Sequence, residues 1–196
     1  MTNYHKAQFL LSVAESSQLP KDQGAEVAFI GRSNAGKSSV INQLTHNKGL
    51  ARVSKTPGRT QFINLFTLDD SRRLADLPGY GFARVPKAVR ERWQANMDAY
   101  LQSRACLKGL ILVMDIRHPL QAFDEDILYG GSQSELPVHI LLNKVDKLNK
   151  NQIRQTLLMV QKATAIYGSL VSFQIFSALT GEGIKELKLK LNQWLG

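Results

Sequence analysis

Three stretches of the chain are nearly uninterrupted apolar runs: 109–115 (G-L-I-L-V-M-D), 137–143 (P-V-H-I-L-L-N) and 171–176 (V-S-F-Q-I-F). Short runs of this kind suit strands buried on both faces, the condition of a parallel sheet. Helical spacing fills the gaps at about 123–132 and 151–167, and at 184–195 Ile184, Leu187, Leu191 and Trp194 share one face. Parallel strands need crossovers, and a helix in each crossover covers the sheet. Upstream, the spacing predicts a strand at about 25–30, a helix at 37–45 and a hairpin from 62–68 to 72–76 turning on Asp69 and Asp70. A further helix from about 87 to 104 carries Val89, Trp93, Met97, Tyr100 and Leu101 on one side. No repeat or linker-like tract interrupts the 196 residues. The expectation is one α/β domain over 1–196, with six mostly parallel strands and helices on both faces. Residues 1–24 form an extension packed on it, and 1–14 read either as a leading helix or as an edge segment.

Ligands of such sheets bind beyond the carboxyl ends of the strands, and the informative motifs fall there. After the strand Val27-Ala28-Phe29-Ile30 comes Gly31-Arg32-Ser33-Asn34-Ala35-Gly36-Lys37-Ser38, which reads G-x-x-x-x-G-K-S. Strand, tight glycine turn and helix together make a phosphate-binding loop. The glycines let the backbone wrap an anion while the helix start aims unpaired N–H groups at it. Lys37 is expected to reach the β- and γ-phosphates, and the Ser38 hydroxyl to hold Mg²⁺. Asp76-Leu77-Pro78-Gly79 ends the hairpin, where the carboxylate would organise the Mg²⁺ shell through water and the Gly79 N–H would approach the γ-phosphate. In the polar loop 47–60, Thr60 would complete that shell when the γ-phosphate is present. Thr56 is its competitor, and Thr60 is preferred because it adjoins a strand. Lys37, Thr60 and Gly79 are therefore the expected catalytic set.

Asn143-Lys144-Val145-Asp146 ends the strand from Val138. One carboxylate can accept parallel N–H bonds from guanine's ring nitrogen and exocyclic amine, a pair adenine does not offer. The Lys144 stem would lie over the base, and Asn143 would tie this loop to the phosphate loop. Ser177-Ala178-Leu179, after the last strand, would turn N–H groups toward the guanine O6.

Together, G-R-S-N-A-G-K-S, P-G-R-T, D-L-P-G, N-K-x-D and S-A-L follow the order and spacing of the translation-factor-like GTPases. The longer strings S-K-T-P-G-R-T-Q, D-L-P-G-Y-G-F-A and M-D-I-R-H-P resemble the EngB (YihA/YsxC) family of bacterial GTPases over nearly the whole chain. The resemblance implies a Ras-like fold and a cytoplasmic, GTP-binding protein that assists large ribosomal subunit assembly and is needed for normal cell division and septation. It implies nucleotide contacts from Gly31, Arg32, Ser33, Asn34, Ala35, Gly36, Lys37 and Ser38, and from Gly58, Arg59, Thr60, Gln61 and Phe62. Asp76, Leu77, Pro78 and Gly79 follow, then Asn143, Lys144, Val145 and Asp146, then Phe176, Ser177 and Ala178. The implied metal ligands are Ser38 and Thr60, with Asp76 acting through water. Where such proteins often read T-K-A-D and S-S-L, this chain has N-K-V-D and S-A-L, the commoner forms among GTPases at large.

Ras-like enzymes orient the attacking water with a glutamine just after the D-x-x-G glycine; here Tyr80 stands there. Slow hydrolysis is expected, stimulated by a partner or by K⁺ held near Asn34. The structural alternative for Asn34 is a residue suited to a tight turn. The net charge of +9 is concentrated between Lys48 and Arg92, where ten basic residues face four acidic ones. Charge so placed suits nucleic acid or an acidic assembly, and the resemblance implies that this region docks on the large ribosomal subunit or its precursor, with neither DNA nor a membrane an expected partner. No apolar run nears the ~20 residues of a membrane span. The lone Cys106 reads as a buried inert thiol and His139 as strand packing, while Arg117-His118-Pro119 reads as a strand cap. His5 and His46 read as surface or cap residues. Four scattered histidines and one cysteine offer no zinc spacing. Two other classes stay open: a binding module that signals by nucleotide state with negligible turnover, and a P-loop phosphotransferase, for which the N-K-x-D string has no use.

Overall fold

The computed structural model describes residues 2–52, 62–80 and 87–196. Seven strands form one sheet: β1 (Gln8–Val13), β2 (Ala25–Gly31), β3 (Ile63–Thr67), β4 (Arg72–Asp76), β5 (Leu107–Asp115), β6 (Val138–Asn143) and β7 (Val171–Ile175). Their order across the sheet is β1-β3-β4-β2-β5-β6-β7. The β1–β3 and β3–β4 pairs are antiparallel and the other four are parallel. Among the described residues five α-helices flank them: α1 (Lys37–Thr45), α2 (Lys87–Ser103), α3 (Ala122–Gln133), α4 (Lys150–Thr164) and α5 (Ile184–Leu195).

The six strands expected from sequence thus become seven, because the segment at 8–13 is an edge strand. Gln8 pairs with Thr67 and Val13 with Ile63, with a bulge between Phe9 and Leu11. An edge strand buries little, and here only Val13 is fully covered, so no alternation marks it in the sequence. The helix expected to run to about 167 stops at Thr164, and a 3-10 stretch, Ala165–Leu170, follows. The side chains of Val89 and Trp93 lie outside the described residues.

The buried runs are explained by the two faces they serve. Along β2, Val27 and Phe29 face α1 and α5, packing with Ile41, Leu44, Leu187 and Leu191. Ala28 and Ile30 face the other way, into a core with Met97 and Tyr100 of α2, Leu128 of α3 and Val160 of α4. A period of two with both sides apolar leaves no polar position, which is why these strands read as continuous runs. Buried polar side chains on or beside these runs find partners within the fold, His139 and Cys106 among them. His139 sits between the Ser172 hydroxyl (2.8 Å) and the Gln174 amide oxygen (2.9 Å), and burial pushes its pKa down to about 4. Cys106 is buried, and burial pushes its thiol up to about 11, so it is not a nucleophile at neutral pH. Among the described residues no helix is long and apolar enough to cross a membrane.

Candidate nucleotide site

Parallel pairing aligns the ends of β2, β4, β5, β6 and β7 along one rim of the sheet. The glycine-rich loop leaves β2 there. Its first half is zipped to the segment after β4: the Ser33 N–H donates to the Tyr80 carbonyl (2.8 Å) and the Tyr80 N–H to the Gly31 carbonyl (3.3 Å). A Cβ on Gly31 would lie 2.4 Å from the Val113 carbonyl oxygen, so no side chain fits between β2 and β5 at this point. The loop then turns through Asn34 (φ 67°) and Gly36 (φ 96°), and a Cβ on Gly36 would meet the Asn143 amide nitrogen at 2.4 Å. Asn34 thus occupies the left-handed turn position that asparagine tolerates better than most residues. Gly36 caps α1 without a side-chain acceptor, leaving the first-turn N–H groups to the loop's concave side.

Lys37, the first residue of α1, is ion-paired with Asp76 at the end of β4. Burial lowers the Lys37 ammonium to about 7, while the carboxylate beside it acts in the opposite sense. Among the described residues no cluster of three or more His, Cys, Asp or Glu encloses a metal site. Among the expected ligands that lie within the described residues are the Ser38 hydroxyl in the first turn of α1 and the Asp76 carboxylate at the end of β4. That sparse set suits Mg²⁺, which binds one or two protein oxygens and fills its shell with phosphates and water.

The second half of the rim is organised by Asn143. Its amide nitrogen donates to the Ala35 carbonyl (2.8 Å) and its oxygen accepts the Ala178 N–H (3.1 Å). One side chain therefore locks the phosphate loop to the loop after β7. Lys144 follows in a left-handed conformation (φ 69°), its ammonium donating to the Asn34 carbonyl (2.6 Å) and to Asp115 (2.9 Å). The Ser177 hydroxyl donates to Asp146 (2.6 Å), which holds that carboxyl below its usual range.

Of the residues read from sequence, Gly31 to Ser38, Asp76 to Gly79, Asn143 to Asp146 and Phe176 to Ala178 come together on this rim. Leu77, Val145 and Phe176 have fully buried side chains. Their N–H groups are also occupied, by Phe29, Phe176 and Leu142 respectively. They shape the loops from beneath. Phe62 is exposed just before β3. Gly58, Arg59, Thr60 and Gln61 lie outside the described residues, as does Thr56.

Two residues were missed. Asp115 holds Lys144, although it reads only as the polar end of a buried strand. Asp124 accepts the Tyr80 hydroxyl, with Tyr80 stacked on Phe123 at 4.7 Å and buried. The Tyr80 phenol is thus engaged by Asp124 within the core, with Arg32 of the phosphate loop close enough to act on both groups. The signal for Asp115 was the string M-D-I-R-H-P; for Asp124 it was the capping pair with Gln121, whose N–H donates to its carboxylate (2.8 Å) at the start of α3.

The basic region also differs from its sequence count. Arg72 pairs with Asp69 (2.7 Å) and donates to the Gly196 carbonyl (2.8 Å), while Arg73 pairs with the buried Glu26 (3.1 Å). Two of the ten cations are therefore committed within the fold.

Residues 26–144 match the family model described as 50S ribosome-binding GTPase. The probable GTP-binding protein EngB of Coxiella burnetii (strain RSA 331 / Henzerling II) is 55% identical over 97% of this chain and 93% of its own. The protein of that name from Vibrio parahaemolyticus is 47% identical over 98% of this chain and 88% of its own. A crystal structure of a probable EngB superposes with a TM-score of 0.71 at 25% identity, covering 87% of this chain and 98% of that one. With a glycine-rich phosphate loop, an aspartate-bearing strand end and an N-K-x-D loop on one rim, and relatives matching from end to end, the chain belongs to the EngB family of GTP-binding proteins.

Proposed function

We propose that the protein hydrolyses GTP to GDP and phosphate, and that the nucleotide state switches its docking on the large ribosomal subunit or its precursor during assembly. Normal cell division and septation would depend on this activity in the cytoplasm. The observation that carries the reading is the meeting, on one rim, of a phosphate loop bearing Lys37 and a base loop bearing Asp146, joined through Asn143. The α1 N-terminus and Lys37 would hold the phosphates, and Asp146, set by Ser177, would read the guanine edge. Ser38, Thr60 and, through water, Asp76 would hold Mg²⁺, which supplies charge neutralisation between the β- and γ-phosphates. Asp146→Ala should abolish the preference for guanine over adenine nucleotides in calorimetric titration; retained preference would mean the base pocket lies elsewhere.

Turnover would be slow, because the Tyr80 hydroxyl is engaged by Asp124 and does not orient water. K⁺ near Asn34 or the ribosomal surface would then accelerate it, so GTP turnover should be faster in KCl than in NaCl; equal rates would remove the cation. The same sequestered phenol favours a second reading, a nucleotide-state binding module with negligible hydrolysis, which multiple-turnover assays separate from the first. The basic 48–92 region would make the docking steeply salt-dependent. Co-sedimentation with ribosomal particles at graded salt tests this: binding should be stronger with a non-hydrolysable GTP analogue than with GDP, and equal binding would sink the switch.

A further inference from the structure

We propose that Asp115 is a positioning residue of the base pocket, holding the Lys144 ammonium against the Asn34 carbonyl so that the Lys144 stem stays along the pocket. The inference rests on the guanine-nucleotide reading above and names the group that shapes that site.

Lysine carries its charge on a flexible four-carbon stem, and one neutral carbonyl is a weak anchor for it. Here the ammonium has two anchors from different strand ends, the Asn34 carbonyl at 2.6 Å and the Asp115 carboxylate at 2.9 Å. The second is charged, and such bonds are roughly twice as strong as neutral ones. The carboxylate is itself fixed. One oxygen accepts the Arg117 backbone N–H (3.0 Å) and its Nε (2.9 Å), and the other accepts an Arg117 terminal nitrogen (2.7 Å) together with Lys144. Fork geometry on a carboxylate leaves it little rotational freedom. Register completes the arrangement, because β5 and β6 pair Asp115 with Asn143, the residue just before Lys144. Burial alone would raise the Asp115 carboxyl, but Arg117 and Lys144 hold it far below the usual carboxylate range, so the anchor stays ionised at neutral pH.

Removing the carboxylate does two things. Lys144 keeps only the neutral carbonyl, and Arg117, on the exposed side, becomes an unpaired cation near it. Asp115→Ala should therefore weaken GDP binding about tenfold. Asp115→Asn, which keeps an acceptor without the charge, should weaken it about threefold.

The deciding experiment is a double-mutant cycle on the full-length chain, with GDP affinity measured by calorimetry for wild type, Asp115→Ala, Lys144→Ala and the double variant. If Asp115 acts through Lys144, the double variant binds GDP no more weakly than Lys144→Ala alone. Multiplying losses, or an unchanged affinity in Asp115→Ala, would overturn the assignment. Should Asp115→Ala not fold, the same cycle with Asp115→Asn is read in the same way. A wild-type protein that binds no GDP would strike the guanine reading itself, a separate outcome.

Discussion

Glu26 and Asp76 are both buried carboxylates on adjacent parallel strands, one near the start of β2 and the other at the end of β4. Their surroundings differ in kind. Glu26 accepts from the Tyr100 hydroxyl (2.6 Å), from Arg104 through two nitrogens (3.1 Å each) and from Arg73 (3.1 Å). Both guanidiniums continue to main-chain carbonyls, Arg104 to Pro20 (2.8 Å) and Arg73 to Gln23 (2.5 Å), so the cluster pins the chain before β2 to the sheet. Burial would raise the Glu26 carboxyl, yet Arg104, Tyr100 and Arg73 hold it below its usual range. Asp76 is paired with Lys37, a residue of the glycine-rich loop whose ammonium would hold the phosphates in the proposed nucleotide complex. A carboxylate whose acceptor sites are filled by donors from three buried or half-buried side chains is structural. One paired with a cation that a phosphate can recruit belongs to a site.

Substitutions at the two ends of the strands should therefore fail differently. The largest effect is expected from Lys37→Gln, whose amide still bonds Asp76: GDP affinity should fall by about 10²–10³-fold, the loss of a desolvated charge on phosphate. Its melting temperature should stay within a few degrees of wild type. An affinity within threefold would break the distinction. Next, Glu26→Ala should cost about 3–5 kcal/mol in urea unfolding, because two guanidiniums lose their partner in the core. GDP affinity of the folded fraction should be unchanged, and a parallel loss of both would show that the two ends are coupled.

The pH dependence sharpens the contrast. Because the folded-state pKa of Glu26 is depressed, its contribution to stability is complete above the ordinary carboxylate value of 4.5 and is lost as pH falls through the folded value. The acid-side drop in melting temperature should be shallower in Glu26→Gln than in wild type, and identical slopes would assign acid sensitivity elsewhere. The smallest effect is that of Tyr80→Phe. It should cost about 1–3 kcal/mol, because Asp124 is left with fewer donors, and should change GTP turnover less than twofold. A large drop in turnover would place the phenol in the chemistry after all.

Much of this architecture was legible beforehand, and for a local reason. The α1 and α5 bounds read from spacing coincide with those observed, Lys37–Thr45 and Ile184–Leu195, since amphipathic period and glycine punctuation operate within a few residues. The loop at Gly31 and the N-K-x-D string were legible for the same reason. The β1 edge strand was legible only as one of two readings, a leading helix or an edge segment, because exposure on most of its length erases alternation and its pairing with β3 spans fifty residues or more. Nor did the count of basic residues reveal that Arg72 and Arg73 are engaged internally.

What the amino-acid order determined by itself was every strand but β1, the five α-helices, their buried faces and the chemical identity of each loop. Tertiary structure alone decided which other polar groups meet: Arg104 with Glu26 across 78 residues, Tyr80 with Asp124 across 44 and Lys144 with Asp115 across 29. Propensity and periodicity act over a few neighbouring residues. A buried polar partner is chosen by where the folded strands and helices bring donors and acceptors within reach, and no local pattern carries that choice.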